Sequence, residues 1–504
     1  MCSSDRVRFA LPFAVLAGVF AGRPLDAHAQ GPLWLSGDRV HVGEAGTLYA
    51  LALGPREVFA ASAAGVLLWD FTQHRWNLPI PPIGDYPAGQ RVVAMAHDRA
   101  GGELFLATAT GDHYRFTPAF DRWERVFGAE ADALPRDVRR ALERRAGDPV
   151  VRDPVLDAVR GSLGLEPGLR RWPLTDAIAG ERAGEYWIAT RGGGLLHFDS
   201  RGLMRDWIPW GLIARGTAAL AFDGARIWFG GDGRSPRNGV AAADPALGRF
   251  LHFDAAEDGA PAGFVAEILA SGDAVWFASS DGVYRFDAGR GEGRRAWSRL
   301  TTREGLPSYE ATSLAASGAV VWAGTRRGLT AIAGDEIAGS LFAGRPVHRL
   351  AERRDTVWVA TADGLWILPA ASTAPLTAEP APGTAQHAAL RGAVEDVVAG
   401  DEGVYAFAGG QLYRWSGGAW STALRDAALE RIGPVMRLAY TDGRVWVTGT
   451  RGVAWSRGPG AGWRTLDVPR DIPIGPVLDV LVIGEHVWVA TPEGATRLRV
   501  PDRS

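Results

Sequence analysis

The sequence predicts an all-β protein, a β-propeller of about ten four-stranded blades in one closed ring, and two observations predict it. A strand of the type V-W-x-A/G-T, followed by a glycine turn, recurs along the whole 504-residue chain. The composition suits many short strands joined by tight turns around buried aromatics, with 65 Gly, 31 Pro and 20 Trp.

The recurring strands are centred on Phe59, Phe105, Trp187, Trp228, Trp276, Trp322, Trp358, Tyr405, Trp446 and Trp488. Neighbouring centres stand 36 to 48 residues apart in every interval but one, which spans 82. A period near 40 to 50 residues built from short strands is that of propeller blades. A lone four-stranded sheet leaves both faces bare, and stacking blades around an axis covers them. The aromatics therefore read as packing between blades. Gly65, Gly282, Gly328, Gly364, Gly452 and Gly494 fall where a hairpin needs positive φ. Trp76, Trp123, Trp297, Trp420 and Trp463 mark outer strands. The last repeat lacks an outer strand, whereas the N-terminus has a spare one at 33–36, within 32–40. That strand is expected to close the ring by pairing with the last blade.

Residues 1–29 read as a signal peptide. Arg6 and Arg8 precede an apolar stretch at 9–22, and Ala27-His28-Ala29 supplies a cleavage site after Ala29. The mature chain, 30–504, is expected in the periplasm or outside the cell. The only cysteine, Cys2, lies in the removed piece, so no thiol, disulfide or cysteine metal site is expected afterwards. No stretch suggests a membrane span. The net charge of −3 gives no general attraction to nucleic acid. All 54 basic residues are arginine, which removes Schiff-base and phosphate-loop lysine chemistry.

At Gly305-Leu306-Pro307-Ser308, followed by Val321-Trp322-Ala323-Gly324-Thr325 and Gly328-Leu329, the chain resembles the bacterial two-component regulator propeller repeats. Tyr309 stands where that family often has Asn, and the other repeats match only the W-x-x-T-x-x-G part, repeats one, two, four and eight loosely. The resemblance implies the propeller fold and, more weakly, a sensor or recognition role. Members are often the periplasmic half of membrane kinases, usually as two seven-bladed rings. No kinase segment, span or immunoglobulin-like tail is expected here, and the chain is expected to be a stand-alone exported member.

The pattern breaks twice. The interval of 82 holds an insertion, 127–172, read as two helices. Pro135 opens the first, with Val138, Ala141 and Leu142 on one face. Asp153 and Pro154 open the second, with Val155, Val159 and Leu163 as its stripe. Arg136, Arg139, Arg140 and Arg144 make the first helix a candidate docking element for an acidic partner or glycan, or a cap with solvated arginines. The second break, 369–387, reads as a long outer loop of blade seven.

No motif of hydrolases, zinc proteases or calcium loops appears, so no catalytic residue, metal ligand or cofactor is nominated. The His-Phe-Asp triplets at 197–199 and 252–254 read as strand ends. Aligning the inner strands gives one column: Ala50, Ala94, Ala177, Ala219, Glu267, Ser313, Arg349, Asp396, Arg437 and Asp479. Near the channel, Glu267, Arg349, Asp396, Arg437 and Asp479 form either ion pairs between blades or a polar pocket for a charged or sugar-like ligand. The expectation is a non-catalytic, monomeric binding or scaffold propeller for a protein or glycan. The alternatives are a lyase or hydrolase of glycans or esters at the channel mouth, and a sensor subunit serving a separate membrane kinase.

Overall fold

The computed structural model describes residues 38–499 apart from 45, 88, 144–157, 159–160, 166–169, 233–236, 371–375, 425–426 and 459–460. It contains ten four-stranded antiparallel sheets, one for each recurring aromatic. In nine of them the strands follow in chain order from inner to outer. The tenth takes its outer strand from Arg39–Val42, which pairs with Gly494–Arg499. The closing strand is thus present, a few residues later than 33–36; those residues and the signal segment lie outside the described residues.

The local sequence explains the blade. Second strands such as Ala274–Ser279 and Val320–Thr325 are buried at every position, because both faces meet a neighbouring blade. Outer strands such as Arg75–Ile80 are more open: only Trp76 is buried there, and Arg75 and Leu78 are exposed. The repeat aromatics are buried throughout, Trp228, Trp322 and Trp446 completely. Between blades 4 and 5, Trp228 stacks on Phe253 at 5.3 Å and meets Phe286 and Trp297. The turn glycines hold positive φ, and at Gly452 a Cβ would lie 2.3 Å from the Leu466 carbonyl oxygen of the outer strand. Only glycine lets that strand cross so closely.

The ten blades do not stand in one circle. The inner strands of blades 4 to 10 adjoin in chain order, and that of blade 10 (Asp479–Ile483) returns to that of blade 4 (Ala219–Phe222). This closes a ring of seven. Blades 1 to 3 form a stack of three, with blade 1 (inner strand Ala50–Leu53) between blade 2 (Val92–His97) and blade 3 (Leu174–Ala179). The single closed ring of ten expected from the repeat is therefore corrected to seven and three, because repeat spacing counts blades and does not report curvature. The stack enters the chain between the closing strand and blade 4. A shared core joins it to the ring, with Trp69 and Trp76 of blade 1, Trp187 of blade 3, Leu247 and Phe250 of blade 4 and Trp488 of blade 10.

The insertion supplies helices α1 (Ala129–Asp132) and α2 (Arg136–Leu142). Val138 and Leu142, with Leu134 before the helix, bury against Ala94, Ala96, Phe105 and Ala107 on the free face of blade 2. Leu163 buries against Tyr186, Ile188, Leu196 and Phe198 on the free face of blade 3. The two ends of the stack are therefore capped, as open repeat arrays require. Residues 153–155 and Val159, and Arg144, lie outside the described residues. The second break is more than a loop: it provides the short outer strand of blade 7, Glu379–Pro380, and buries Ala381 and Thr384. Among the described residues, no helix is long and apolar enough to cross a membrane.

Candidate functional site

The seven ring members of the column meet at the channel. A bulge at the start of most inner strands places the column residue opposite the position two beyond the repeat aromatic, as Glu267 opposite Ala278 and Asp396 opposite Phe407. Arg437 of blade 9 reaches Glu267 of blade 5, three blades round the ring, at 2.8 Å, and lies 3.5 Å from Asp479. Arg349 bridges Glu267 and Asp396, both at 3.6 Å. Both guanidinium groups also donate to backbone, Arg349 to the Thr312 carbonyl and Arg437 to that of Ala266.

Each acidic or hydroxyl member also ties its blade to the next. The Leu314 N–H donates to Glu267, the Leu350 N–H to Ser313, the Leu438 N–H to Asp396 and the Leu220 N–H to Asp479, at 2.7 to 2.9 Å. The last bond joins blade 10 to blade 4. The residue before the column adds a second tie, since Thr312 donates to the Val347 carbonyl and His348 Nδ1 bonds that of Val394. Burial pushes the carboxyls of Asp396 and Asp479 above the usual range, against the pull of Arg349 and Arg437. Burial alone would lower the Arg437 guanidinium, but Asp479, Glu267 and Asp396 outweigh it and raise it. Three carboxylates around two guanidiniums form a network whose polar atoms are spent on one another and on the blades.

The column reading needs one correction. In blade 3 the residue opposite Ala189 is Asp176, not Ala177, because a bulge between Leu174 and Asp176 shifts the register. Asp176 makes the same tie, accepting the Leu51 N–H at 2.8 Å, which is how blade 3 comes to adjoin blade 1. In the docking candidate, Arg139 donates to the Leu134 carbonyl, and Arg136 and Arg140 are exposed on α2. The triplets divide. His197 pairs with Glu185 at 3.0 Å within its blade. His252 bonds the Gly211 carbonyl at 2.9 Å, and Asp254 takes a bidentate pair from Arg170 of the insertion, so the second triplet anchors stack to ring.

Sequence reasoning missed a second site. Where stack meets ring there is a cleft of about 560 Å³. One wall is the closing strand and the connector after it, from Arg39 to Leu48. The facing wall is blade 1, with Ala64, Leu67 and the run from Pro79 to Ile83. Arg215, Glu493 and Pro473 are also part of the lining. Arg215 and Glu493 form a two-point ion pair at 3.0 and 2.9 Å. His41 bonds the Thr496 hydroxyl and the Glu493 carbonyl, and burial holds its pKa below the usual value. Among the described residues, no cluster of His, Cys, Asp or Glu is arranged to hold a metal ion.

No family model matches the chain, and no curated protein matches it. Solved structures do. The extracellular domain of a protein described as a one component system from B. thetaiotaomicron aligns over 91% of this chain and 71% of that one, at 10% identity and TM-score 0.44. The extracellular domain of a hybrid two component system from the same organism aligns over 90% and 75%, at 12% identity and TM-score 0.42. The Pan2 WD40 domain of Neurospora crassa aligns over 57% and 90%, at 13% identity and TM-score 0.42.

Proposed function

We propose that the protein is an exported recognition module that works by binding, with its ligand seated in the cleft between the three-blade stack and the ring. The observation that carries this is the contrast between the two polar sites. At the axis, each charged group faces an opposite charge and a blade backbone, so the network serves to hold the ring. The cleft is concave, lies between two sub-assemblies, and has the few hundred Å³ typical of small-ligand and peptide sites. An acid–base pair at the channel mouth needs a group free to trade a proton with a substrate. The axial carboxylates and guanidiniums are committed to structure, which favours binding over the lyase or hydrolase reading.

Two variants separate the sites. Ala64→Trp fills the cleft from an exposed turn of blade 1. Arg437→Met removes the central axial cation. A panel of random peptides and acidic and neutral oligosaccharides is titrated against the mature protein by calorimetry. The expected result is a saturable ligand lost in Ala64→Trp and kept in Arg437→Met, while Arg437→Met loses about 3 kcal/mol of stability through its stranded carboxylates. A ligand kept in Ala64→Trp and lost in a stably folded Arg437→Met would move the site to the axis and overturn the proposal.

A further inference from the structure

Among the described residues, the outermost strand of blade 10, Arg39–Val42, is paired on one side only. Its partners run from Arg39 opposite Leu498 to Val42 opposite Ala495, and the Arg499 N–H donates to the Asp38 carbonyl. Backbone groups in an antiparallel strand alternate in direction. Asp38, Val40 and Val42 therefore turn theirs toward Gly494–Arg499, and Arg39 and His41 turn theirs outward. No other described backbone group pairs with that outward edge.

Arg39, Val40 and His41 line the cleft, so the free edge lies along it. Just beyond, the same edge already accepts added chain. The Leu212 N–H donates to the Gly43 carbonyl at 2.9 Å, and Leu212 forms a parallel bridge with Glu44. The protein's own connector occupies the end of the edge, and no described residue pairs with the part before it.

Charge narrows the ligand. Arg39 is half-buried, and burial lowers its guanidinium pKa against the distant pull of Asp471. Asp471 is itself held by Arg470 at 2.7 Å and by the Asp467 N–H at 2.9 Å. Among the described residues, Arg39 has no hydrogen-bonded acceptor, whereas Arg215 is spent on Glu493. A partly desolvated guanidinium beside an open strand edge suits a carboxylate on an extended chain. The facing wall of Leu67, Pro81, Pro82 and half-exposed Ile83 suits apolar side chains at alternate positions. The lining aromatic, Trp210, is 6% exposed and wedged between Trp76 and Phe250, so it offers no face to a sugar ring.

We infer that the ligand is an extended, acid-bearing peptide that adds as a further strand to the free edge of Arg39–Val42, its carboxylate taken by Arg39. This rests on the binding role proposed above and names its ligand class. Affinity comes from the backbone of Arg39 and His41, and selectivity from the guanidinium and the apolar wall.

The test uses the mature full chain as bait for a displayed library of random octapeptides, and enriched sequences are resynthesised with a fluorophore. The expected result is acid-bearing sequences that saturate by anisotropy. Their binding falls about tenfold or more in Arg39→Gln, and as much when alternate peptide amides are N-methylated. It is lost in Ala64→Trp. Unchanged melting of both variants shows that the fold is intact. Peptides indifferent to Arg39→Gln and to N-methylation would overturn strand addition, as would a library with no enrichment. The same anisotropy assay run with uronic-acid oligosaccharides tells the two failures apart. Saturation there that Ala64→Trp abolishes leaves the recognition module standing with a different ligand, and no saturation by either class removes both.

Discussion

At the scale of single residues, position in the assembly decides what a motif does. The two His-Phe-Asp triplets are identical in sequence, yet one histidine pairs within its blade and the other lies at the joint between stack and ring. Burial and the neighbouring Arg237 guanidinium hold His252 down to about 3, against the Gly211 carbonyl and Asp254. A histidine with a depressed folded pKa binds fewer protons when folded than when unfolded. Its contribution is complete above its unfolded pKa of about 6.5 and is lost as pH falls toward 3. At pH 5 the full shift corresponds to about 2 kcal/mol, and partial solvent contact trims it to about 1. His252→Gln keeps a donor for the Gly211 carbonyl and removes the titration. Urea midpoints at pH 7 and pH 5 should show the wild type losing about 1 kcal/mol more than the variant; equal losses would rule out His252 as the source. The axial residues were legible because the repeat aromatic sets their register. Asp176 was not, because a bulge is invisible without the pairing.

At the scale of elements, the insertion is a cap before it is anything else. Blade 2 ends a stack, and its Phe105 face would be bare without α2. Val138→Asp puts a charge among Phe105, Ala94 and Leu142, and should cost about 3 kcal/mol or more locally. Hydrogen exchange reads this by region: amides of Val92–His97 and Leu104–Thr108 should open together while those of the seven-bladed ring keep their protection. Uniform loss of protection would mean that stack and ring are one cooperative unit. The apolar stripe of α2 was readable from its 3.6-residue spacing. Its place on blade 2 was not, since spacing states which face is apolar and not what covers it. The cleft was unreadable for the same reason. Its walls come from stretches far apart in sequence, and each looks like an ordinary strand edge or turn.

At the scale of the whole molecule, the period of the repeat reports how many blades there are, and the ties between inner strands report which blades adjoin. Asp479 bonds the Leu220 N–H and closes seven blades, bypassing three, while Asp176 bonds the Leu51 N–H and turns those three on themselves. The stack is thus an insertion in a seven-bladed ring, placed between the closing strand and blade 4, the first blade of the ring. The Gly43 carbonyl accepts the Leu212 N–H, so the points of entry and return already touch. Removing 45–210 and joining 44 to 211 by a short Gly-Ser linker should leave a ring with every blade complete. The excision uncovers Leu247 and Phe250, which lose Trp76 and Trp210, so both are changed to Ser in the shortened chain. It should unfold in one cooperative transition and keep near-ultraviolet dichroism from its buried tryptophans. A companion chain beginning at 211 lacks Arg39–Val42 and leaves blade 10 with three strands. That chain should melt lower and aggregate, because Gly494–Arg499 loses its partner strand and the ring loses its clasp. If both chains fail to fold, the core around Trp76, Trp210 and Phe250 belongs to the ring itself, and the division into seven blades and three is one of contact only. If both fold equally well, the closing strand serves the cleft and not the ring.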